Sequence, residues 1–354
     1  MVVGALALVS ILAVGCGGSH RCSRPELTLR AVPAKGQRVT PGGMEVAQRI
    51  MTSRVDFGVS SPKVAVHGDR IVIQFAGVHA PAKTGAILRD PGRLEVFDFE
   101  PSLAPPTVQG NQHPAPLPSL YSLLSAAKKE ASQGTPQSYY LFKKTPSHPV
   151  LQGPTPTLHQ LFRPYKEGKQ PAGTEVLGVP ANLEPVDCRM STGCPGAGEN
   201  RSSKTGQYWY LLKLPPALTG KDLVESGIAA DVDPNTGQSI VNLQFTRPGS
   251  QEFRRITQAE YDRGRANAGL AGRLNAHAPN VISRYAGHNA IVLDGRLDET
   301  PYIDYTDSIL SQGIVGNAEI TEPSAQTARR TALVLQSGSL PYSFRQVGRA
   351  SCPR

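Results

Sequence analysis

The chain has 354 residues, 39% of them apolar, which is enough for one large core or two smaller ones. Its formal charge of +9 would suit nucleic acid or anionic lipid if the basic residues were clustered. They are scattered instead, in groups no denser than Lys128-Lys129, Lys143-Lys144 and Arg329-Arg330. With no interleaved aromatic platform either, nucleic-acid binding is set aside.

The first feature is a short apolar run, MVVGALALVSILAVGC, ending at Cys16. It is shorter than the roughly 20 residues that cross a bilayer, and it suits a signal-peptide core or a short N-terminal anchor over residues 1–16. Ala13-Val14-Gly15-Cys16 resembles a lipoprotein box, in which the Cys16 thiol takes a lipid, although no Lys or Arg precedes the run. Either reading exports the rest of the chain and ties it to the membrane or to its outer side. Export makes the other cysteines disulfide candidates. Cys188 and Cys194 lie in CRMSTGC, close enough for a short bridge. A metal site is not expected there, because zinc needs about four ligands and no His or second Cys pair is near.

Glu26–Val32 reads as a strand. Thr40-Pro41 then opens a helix, with Thr as cap and Pro in the first turn. Ala47, Ile50, Met51 and Val55 fall on one face of it, and Gly58 ends it. Lys63–Val66 and Arg70–Phe75 read as a strand pair joined by His67-Gly68-Asp69. A helix over Ala82–Leu88 and a strand over Leu94–Phe99 complete a compact α+β unit, residues 26–100.

From 101 to 206 the composition shifts, and about half of the 31 prolines fall there. Such a stretch favours loops and extended segments over a second dense core. Leu120–Ala131, amphipathic through Leu120, Leu123, Leu124 and Ala127, is an ordered island. So are the strand-like Tyr139–Phe142 and Glu175–Val179. Regularity returns with YWYLLKL from Tyr208. Further strands are expected at Ile240–Phe245, after the turn DPNTGQ, and at Ala290–Leu293. Gln251–Gly264 and Ser324–Ser337 read as helices.

Catalytic patterns are few. Ser125-Ala126-Ala127-Lys128 fits SxxK and Lys204-Thr205-Gly206 fits KTG, as in penicillin-recognising enzymes, but the middle SxN element is missing. No HExxH, GxSxG, Walker or GxGxxG pattern has a supporting context, and no cofactor is implied. The acids of HNAIVLDGRLDETPYIDYTD (Asp294, Asp298, Glu299, Asp304, Asp307) raise the question of a carboxylate site. A calcium loop places oxygen ligands at alternate positions and closes with Glu, which this spacing does not do. Asp294-Gly295 after a strand is turn chemistry, and the expectation is a turn at a solvated edge.

Several stretches in one order resemble the first large extracytoplasmic domain of SecD, an accessory subunit of the Sec protein translocase. They are RVDFGVS (54–60), DRIVIQFAGVHAPAKTGAIL (69–88), GRLEVFDF (92–99), LTGKDLVESGIAADV (218–232), VNLQFTRPGSQEFRRIT (241–257), NAIVLDGRLDETPYI (289–303) and LVLQSGSLPYSF (333–344). The resemblance covers about Glu26 to Val347. It lacks the family's bundle of membrane helices, which would follow Ser339-Leu340-Pro341.

The resemblance implies an α+β architecture with a ferredoxin-like base formed from both chain ends and a head inserted between them. The base takes residues 26–100 and 288–347, the head takes 207–287, and 101–206 is a Pro/Gly-rich insertion. It implies no enzymatic activity, but binding of preprotein segments outside the membrane, with the Sec channel and a SecF-like subunit as partners. The motif residues Gly58, Gly77, Thr219, Gly220, Asp294 and Gly295 would be structural, and Phe245 and Phe253 would contact preprotein or pack in the core. If the base brings both ends together, Cys22 and Cys352 could pair. The ends SHRCSRP and GRASCPR depart from the family. They fit either a short exported paralogue that no longer serves translocation or out-of-frame translation of a SecD gene.

Overall fold

The computed structural model describes residues 26–34, 36–56, 62–75, 82–103, 106–107, 119–130, 135–188, 194 and 208–347. Strand β1 (Glu26–Val32) buries every second side chain, Leu27, Leu29 and Ala31, the period of a half-buried strand. Helix α1 (Pro41–Asp56) begins where the Thr40 hydroxyl oxygen accepts from the Gly43 amide at 3.1 Å. Its stripe of Met44, Ala47, Met51 and Val55 is buried. β2 (Lys63–His67) and β3 (Arg70–Gln74) form the expected hairpin, with His67 opposite Arg70, and α2 (Ala82–Arg89) comes next.

This unit is completed from the far end of the chain. Strand Ser343–Gln346, β17 in chain order, pairs antiparallel with β1, giving the sheet order β17-β1-β3-β2. Leu29, Ile71, Ile73 and Phe344 from the sheet share one core with Met51 and Val55 of α1 and Leu88 of α2. The chain therefore leaves this unit after α2 and re-enters it at β17.

Everything between belongs to other layers. β4 (Leu94–Asp98) is buried through most of its length. Helix α3 (Leu120–Glu130), β5 (Ser138–Lys143), β6 (Val150–Thr155), helix α4 (Leu158–Phe162) and β7 (Thr174–Val179) form a small unit with the sheet β6-β5-β7. Next come β8 (Leu183–Cys188), β9 (Tyr208–Lys213), β10 (Leu218–Thr219), β11 (Ala229–Val232) and β12 (Ser239–Leu243). Helices α5 (Arg247–Leu270) and α6 (Pro279–Tyr285) precede β13 (Gly287–Leu293), β14 (Arg296–Glu299), β15 (Tyr302–Ile303), β16 (Ala318–Glu322) and α7 (Ala325–Gln336).

The largest sheet runs β10-β4-β13-β14-β8-β9, with β15 added to β13, and a third sheet runs β11-β12-β16. The core between them joins Val96, Leu218, Val241, Ile256, Ile291, Ile320 and Leu335.

Two expectations change. The Pro-rich stretch is not mostly coreless: Leu120, Leu124, Tyr140, Phe142, Leu177 and Val179 bury against Leu211 of β9. Most of the described prolines there lie outside the strands, while Pro154 lies within β6 and Pro185 within β8, opposite Leu211 of β9. The return to the first sheet also comes later than residue 288. β13 lies in the middle of the large sheet, paired with β4 from Asn289 to Leu293, and only β17 joins β1. Among the described residues, no helix is long and apolar enough to cross a membrane.

Candidate functional site

The residues singled out in the sequence fall into separate places. Phe245 and Phe253 stack at 4.9 Å between ring centroids and are only 8% and 9% exposed within the central core. A partner chain has almost no ring surface to reach here, so both act in packing. Thr219 forms a capping box with Asp222 at the start of a short 3-10 turn that begins at Gly220: the Asp222 carboxylate accepts from the Thr219 amide at 2.8 Å. Cys188 and Cys194 are bonded, with 6.0 Å between their Cα atoms. Gly58, Gly77, Cys16, Cys22 and Cys352 lie outside the described residues, as does Lys204-Thr205-Gly206. Ser125 and Lys128 sit on α3.

The five acids of the quoted stretch divide among three tasks. Asp294 and Gly295 make the two-residue turn between β13 and β14, with φ of 53° and 77°, the left-handed pair a tight hairpin needs. Asp304 accepts from the Thr306 amide at 2.8 Å, and Asp307 caps a short 3-10 turn through the Ile309 amide at 2.9 Å. Asp298 and Glu299 face β16. Burial, followed by Glu322 and Glu299, pushes Asp298 up to about 7. Burial also raises Glu299, with Glu319 and Glu322 adding to it against bonds from Thr321. The turn matches expectation, and after it Arg296 is exposed while Asp298 and Glu299 are half-buried. Among the described residues, no group of three or more His, Cys, Asp or Glu is placed to hold a metal ion.

The densest polar node lies where the first sheet's helices meet the hairpin and α7. Arg54 of α1 is 2% exposed. Its guanidinium donates to the Ser337 hydroxyl at 2.8 Å, to the carbonyls of Ile87 at 3.1 Å, Gly338 at 2.9 Å and Val334 at 3.5 Å, and to that of Asp90. The carbonyls of Val334 and Gly338 belong to the end of α7, where a cation also meets the negative end of the helix dipole. Burial lowers Arg54 to about 10 against the opposing pull of Asp90 and Asp294.

Gly92, at φ +68°, leaves room for this side chain, since a Cβ there would stand 2.7 Å from Arg54 Nη2. Beside it, Arg330 pairs with Asp90 at 2.9 Å. Asp294 accepts from the Arg93 amide at 2.7 Å and donates its own amide to the Arg93 carbonyl at 2.9 Å.

The electrostatics of the node come from that geometry. Although the residue as a whole is exposed, desolvation of its carboxyl and then the nearby Asp90 push Asp294 up to about 7, against the amides of Arg93 and Gly92. Burial also works on Asp90, but the nearby Asp294 and the bond from Arg330 outweigh it and hold Asp90 below its usual value. Nearby, burial and Glu184 push Glu95 up to about 7 against Arg93, which bridges Glu95 at 3.0 Å and also Glu184. The node opens onto a cleft of about 880 Å³. Pro154 and Thr155 of β6, Glu184 and Pro185 of β8, and Leu340 and Tyr342 before β17 line it.

A second buried cluster joins α5 to β13. Glu260 is fully buried, and neither carboxyl oxygen has a hydrogen-bond partner among the described residues. Burial raises it well above the usual carboxylate value, Asp98 and Glu100 add to that, and Arg263 opposes. Arg263 pairs with Asp98 at 2.7 Å, and Thr107 bonds the His288 ring at 3.1 Å and also Glu100.

Residues 198–342 match the family model described as the SecDF P1 head subdomain, so the resemblance read from the sequence stands over that part. Two relatives carry the particular name. One is the protein translocase subunit SecD of Aquifex aeolicus, 30% identical over 139 residues, or 39% of this chain and 21% of the relative. The other is the SecDF subunit of Thermus thermophilus, 32% identical over 133 residues, or 37% and 14%.

The chain thus spans about a fifth or less of the length of these two. A solved SecDF structure in the super-membrane-facing form aligns over 92% of this chain and 30% of that one, at 19% identity and TM-score 0.46. A second, of a SecDF component that enhances protein export, aligns over 92% and 99% with TM-score 0.43.

Proposed function

We propose that the chain is a SecD-like, non-enzymatic accessory module of protein translocation that handles unfolded preprotein on the extracytoplasmic side of the membrane. The match of residues 198–342 to the SecDF head subdomain carries this reading. The four-stranded sheet β17-β1-β3-β2 with α1 and α2 supports reading that unit as a ferredoxin-like base, since strand order and antiparallel pairing agree. On this view residues 90–342 are the insertion, and the α3–β7 unit is an addition within it.

Because Phe245 and Phe253 are buried, preprotein contacts on this reading come from other surfaces, and the cleft of about 880 Å³ beside β6 and Tyr342 is a candidate. Binding is tested by fluorescence anisotropy of a labelled unfolded secretory polypeptide titrated with the protein. Saturable binding at micromolar concentration supports the reading, and none at that level overturns it. Partnership with the Sec channel and a SecF-like subunit is tested separately by co-purification. Binding without co-purification favours a stand-alone exported module.

A further inference from the structure

We propose that the turn joining α5 to α6 is a contact surface for an anionic lipid bilayer. Leu270 and Leu274 enter the headgroup layer there, and the arginines around them meet lipid phosphates. The leucines stand out by exposure, 77% for Leu270 and 44% for Leu274. Gly272, at φ +66°, ends α5: its amide donates to the Gly269 carbonyl at 3.1 Å and the Arg273 amide donates to that of Ala268 at 2.7 Å. These are the paired bonds of a Schellman turn. A Cβ on Gly269 would stand 4.0 Å from Leu274 Cδ1, so Leu274 folds over the last turn of α5 beside Leu270. The Tyr305 hydroxyl donates to the Arg273 carbonyl at 3.3 Å and holds the turn from outside it.

The charge around this tip has one dominant sign. Residues 263–293 contain no Asp or Glu, yet carry Arg263, Arg265, Arg273 and Arg284. Along the chain these cations are too far apart to look like a basic cluster, and the fold gathers them. Asn267 donates to the Tyr285 carbonyl at 3.4 Å, and a Cβ on Gly264 would stand 3.2 Å from Ala286 Cα. Helix α6 therefore runs back along the last turns of α5 and sets Arg284 beside the segment that carries Arg265. Arg263 is turned inward to Asp98 at 2.7 Å, but Arg265, Arg273 and Arg284 are exposed. Two acids border them. Asp262 lies about 12 Å back along α5 from Leu270, and Asp304 accepts from both the amide and the hydroxyl of Thr306. Arg273, Leu274, Asn275 and His277 bound a hollow of about 420 Å³, within the range of small-molecule sites.

The pairing of charge with apolar surface decides the occupant. An acidic peptide would satisfy the arginines and leave both leucines in water. A bilayer surface takes both at once, with phosphates at the level of the guanidinium groups and acyl chains beneath for the leucines. Lipid contact at this tip and preprotein binding are read by separate measurements, so either can fail alone.

Flotation of the full chain with vesicles holding about 30% phosphatidylglycerol in phosphatidylcholine tests the contact, with pure phosphatidylcholine as reference. Binding is expected to the anionic vesicles, and most of it should go between about 0.1 M and about 1 M salt, where screening shortens from about 10 Å to about 3 Å. Arg265→Gln and Arg273→Gln should each weaken partitioning about fivefold, and about 25-fold together. Arg265→Lys and Arg273→Lys keep the charge and should bind as the wild type does. Leu270→Ser should weaken partitioning about tenfold. In Leu270→Trp, emission should shift to the blue and be quenched by brominated lipid, with Trp209, half-buried on β9, as background. A wild type that does not float, or that floats equally with neutral vesicles, overturns the proposal. Equal flotation of the wild type and the Gln variants overturns it by placing attachment elsewhere, such as the apolar run over 1–16. Poly-glutamate binding that the Gln variants lose, without vesicle binding, overturns it too and assigns the surface to an acidic polypeptide.

Discussion

The two most deeply buried charges described, Arg54 and Glu260, solve the same problem in opposite ways. Arg54 keeps its charge: four carbonyls and a hydroxyl accept from it, so burial removes its water but replaces each bond. Neither carboxyl oxygen of Glu260 is bonded among the described residues, and Asp98 and Glu100 lie near it with Arg263 opposing them. Burial there favours the neutral acid. A buried charge persists only where the surroundings supply its partners, and otherwise it is neutralised. The placement differs too. Arg54 pins α1, which packs on the first sheet, to the end of α7, whereas Gly287 lets α5 approach β13 at Glu260. A Cβ on Gly287 would stand 2.7 Å from the Glu260 carbonyl oxygen.

The strongest way to break this comparison is Arg54→Ala. It leaves the end of α7 and the exit of α2 with unmet acceptors and removes the positive charge beside Asp90 and Asp294. Loss of a fully bonded buried charge is expected to cost about 3–5 kcal/mol, read as a lower midpoint in urea unfolding. Tolerance within about 1 kcal/mol would show that water replaces the guanidinium and that the node is not what joins the layers.

A smaller effect should come from Gly92→Ala, which leaves Arg54 intact but moves it. The new methyl group meets Arg54 Nη2 at 2.7 Å and Val334 Cγ1 at 2.9 Å, on a backbone at φ +68°. Strain and displacement together are expected to cost about 2 kcal/mol. The double variant Arg54→Ala, Gly92→Ala should cost less than the sum of the two, since one clash has then gone. Strict additivity would mean that the glycine serves only its own backbone angle.

Much of this fold was legible. The Thr40-Pro41 start of α1, the hairpin around Gly68-Asp69, the strand from Tyr208 and the helix after Ser324 carried local signals that packing did not override. Ser324 forms a capping box with Thr327, a reciprocal bond visible as residue types at fixed spacing. The core of the α3–β7 unit was hidden because its composition is that of a linker, and its buried residues are spread over about 60 positions with prolines among them. The node was hidden for a different reason. Asp90 and Asp294 are far apart in the chain, and neither sits in a pattern that demands a partner. One signal did exist: Arg54 interrupts the stripe of Ile50, Met51 and Val55. A charge on an apolar helix face asks for acceptors from whatever packs against it. Glu260 gave a similar signal between Thr257 and Tyr261, which are also buried.

Glu260→Gln tests the neutral half of the comparison, and its effect is the smallest in energy but the most specific in form. Glutamine has nearly the shape of protonated glutamic acid and cannot ionise. In the wild type the folded state holds the Glu260 proton more tightly than the unfolded chain, because burial raises it well above its usual value. Stability contributed by that proton is therefore present in acid and declines as pH rises from the ordinary carboxylate range towards the folded value. The slope is at most one proton, about 1.4 kcal/mol per pH unit. The variant should show a flatter decline over the same range, with stability at acid pH within about 1 kcal/mol of wild type. Parallel pH profiles for the two proteins would mean that Glu260 stays ionised when folded. In that case the paired cations or water that hold its charge would make it a second Arg54 rather than its opposite.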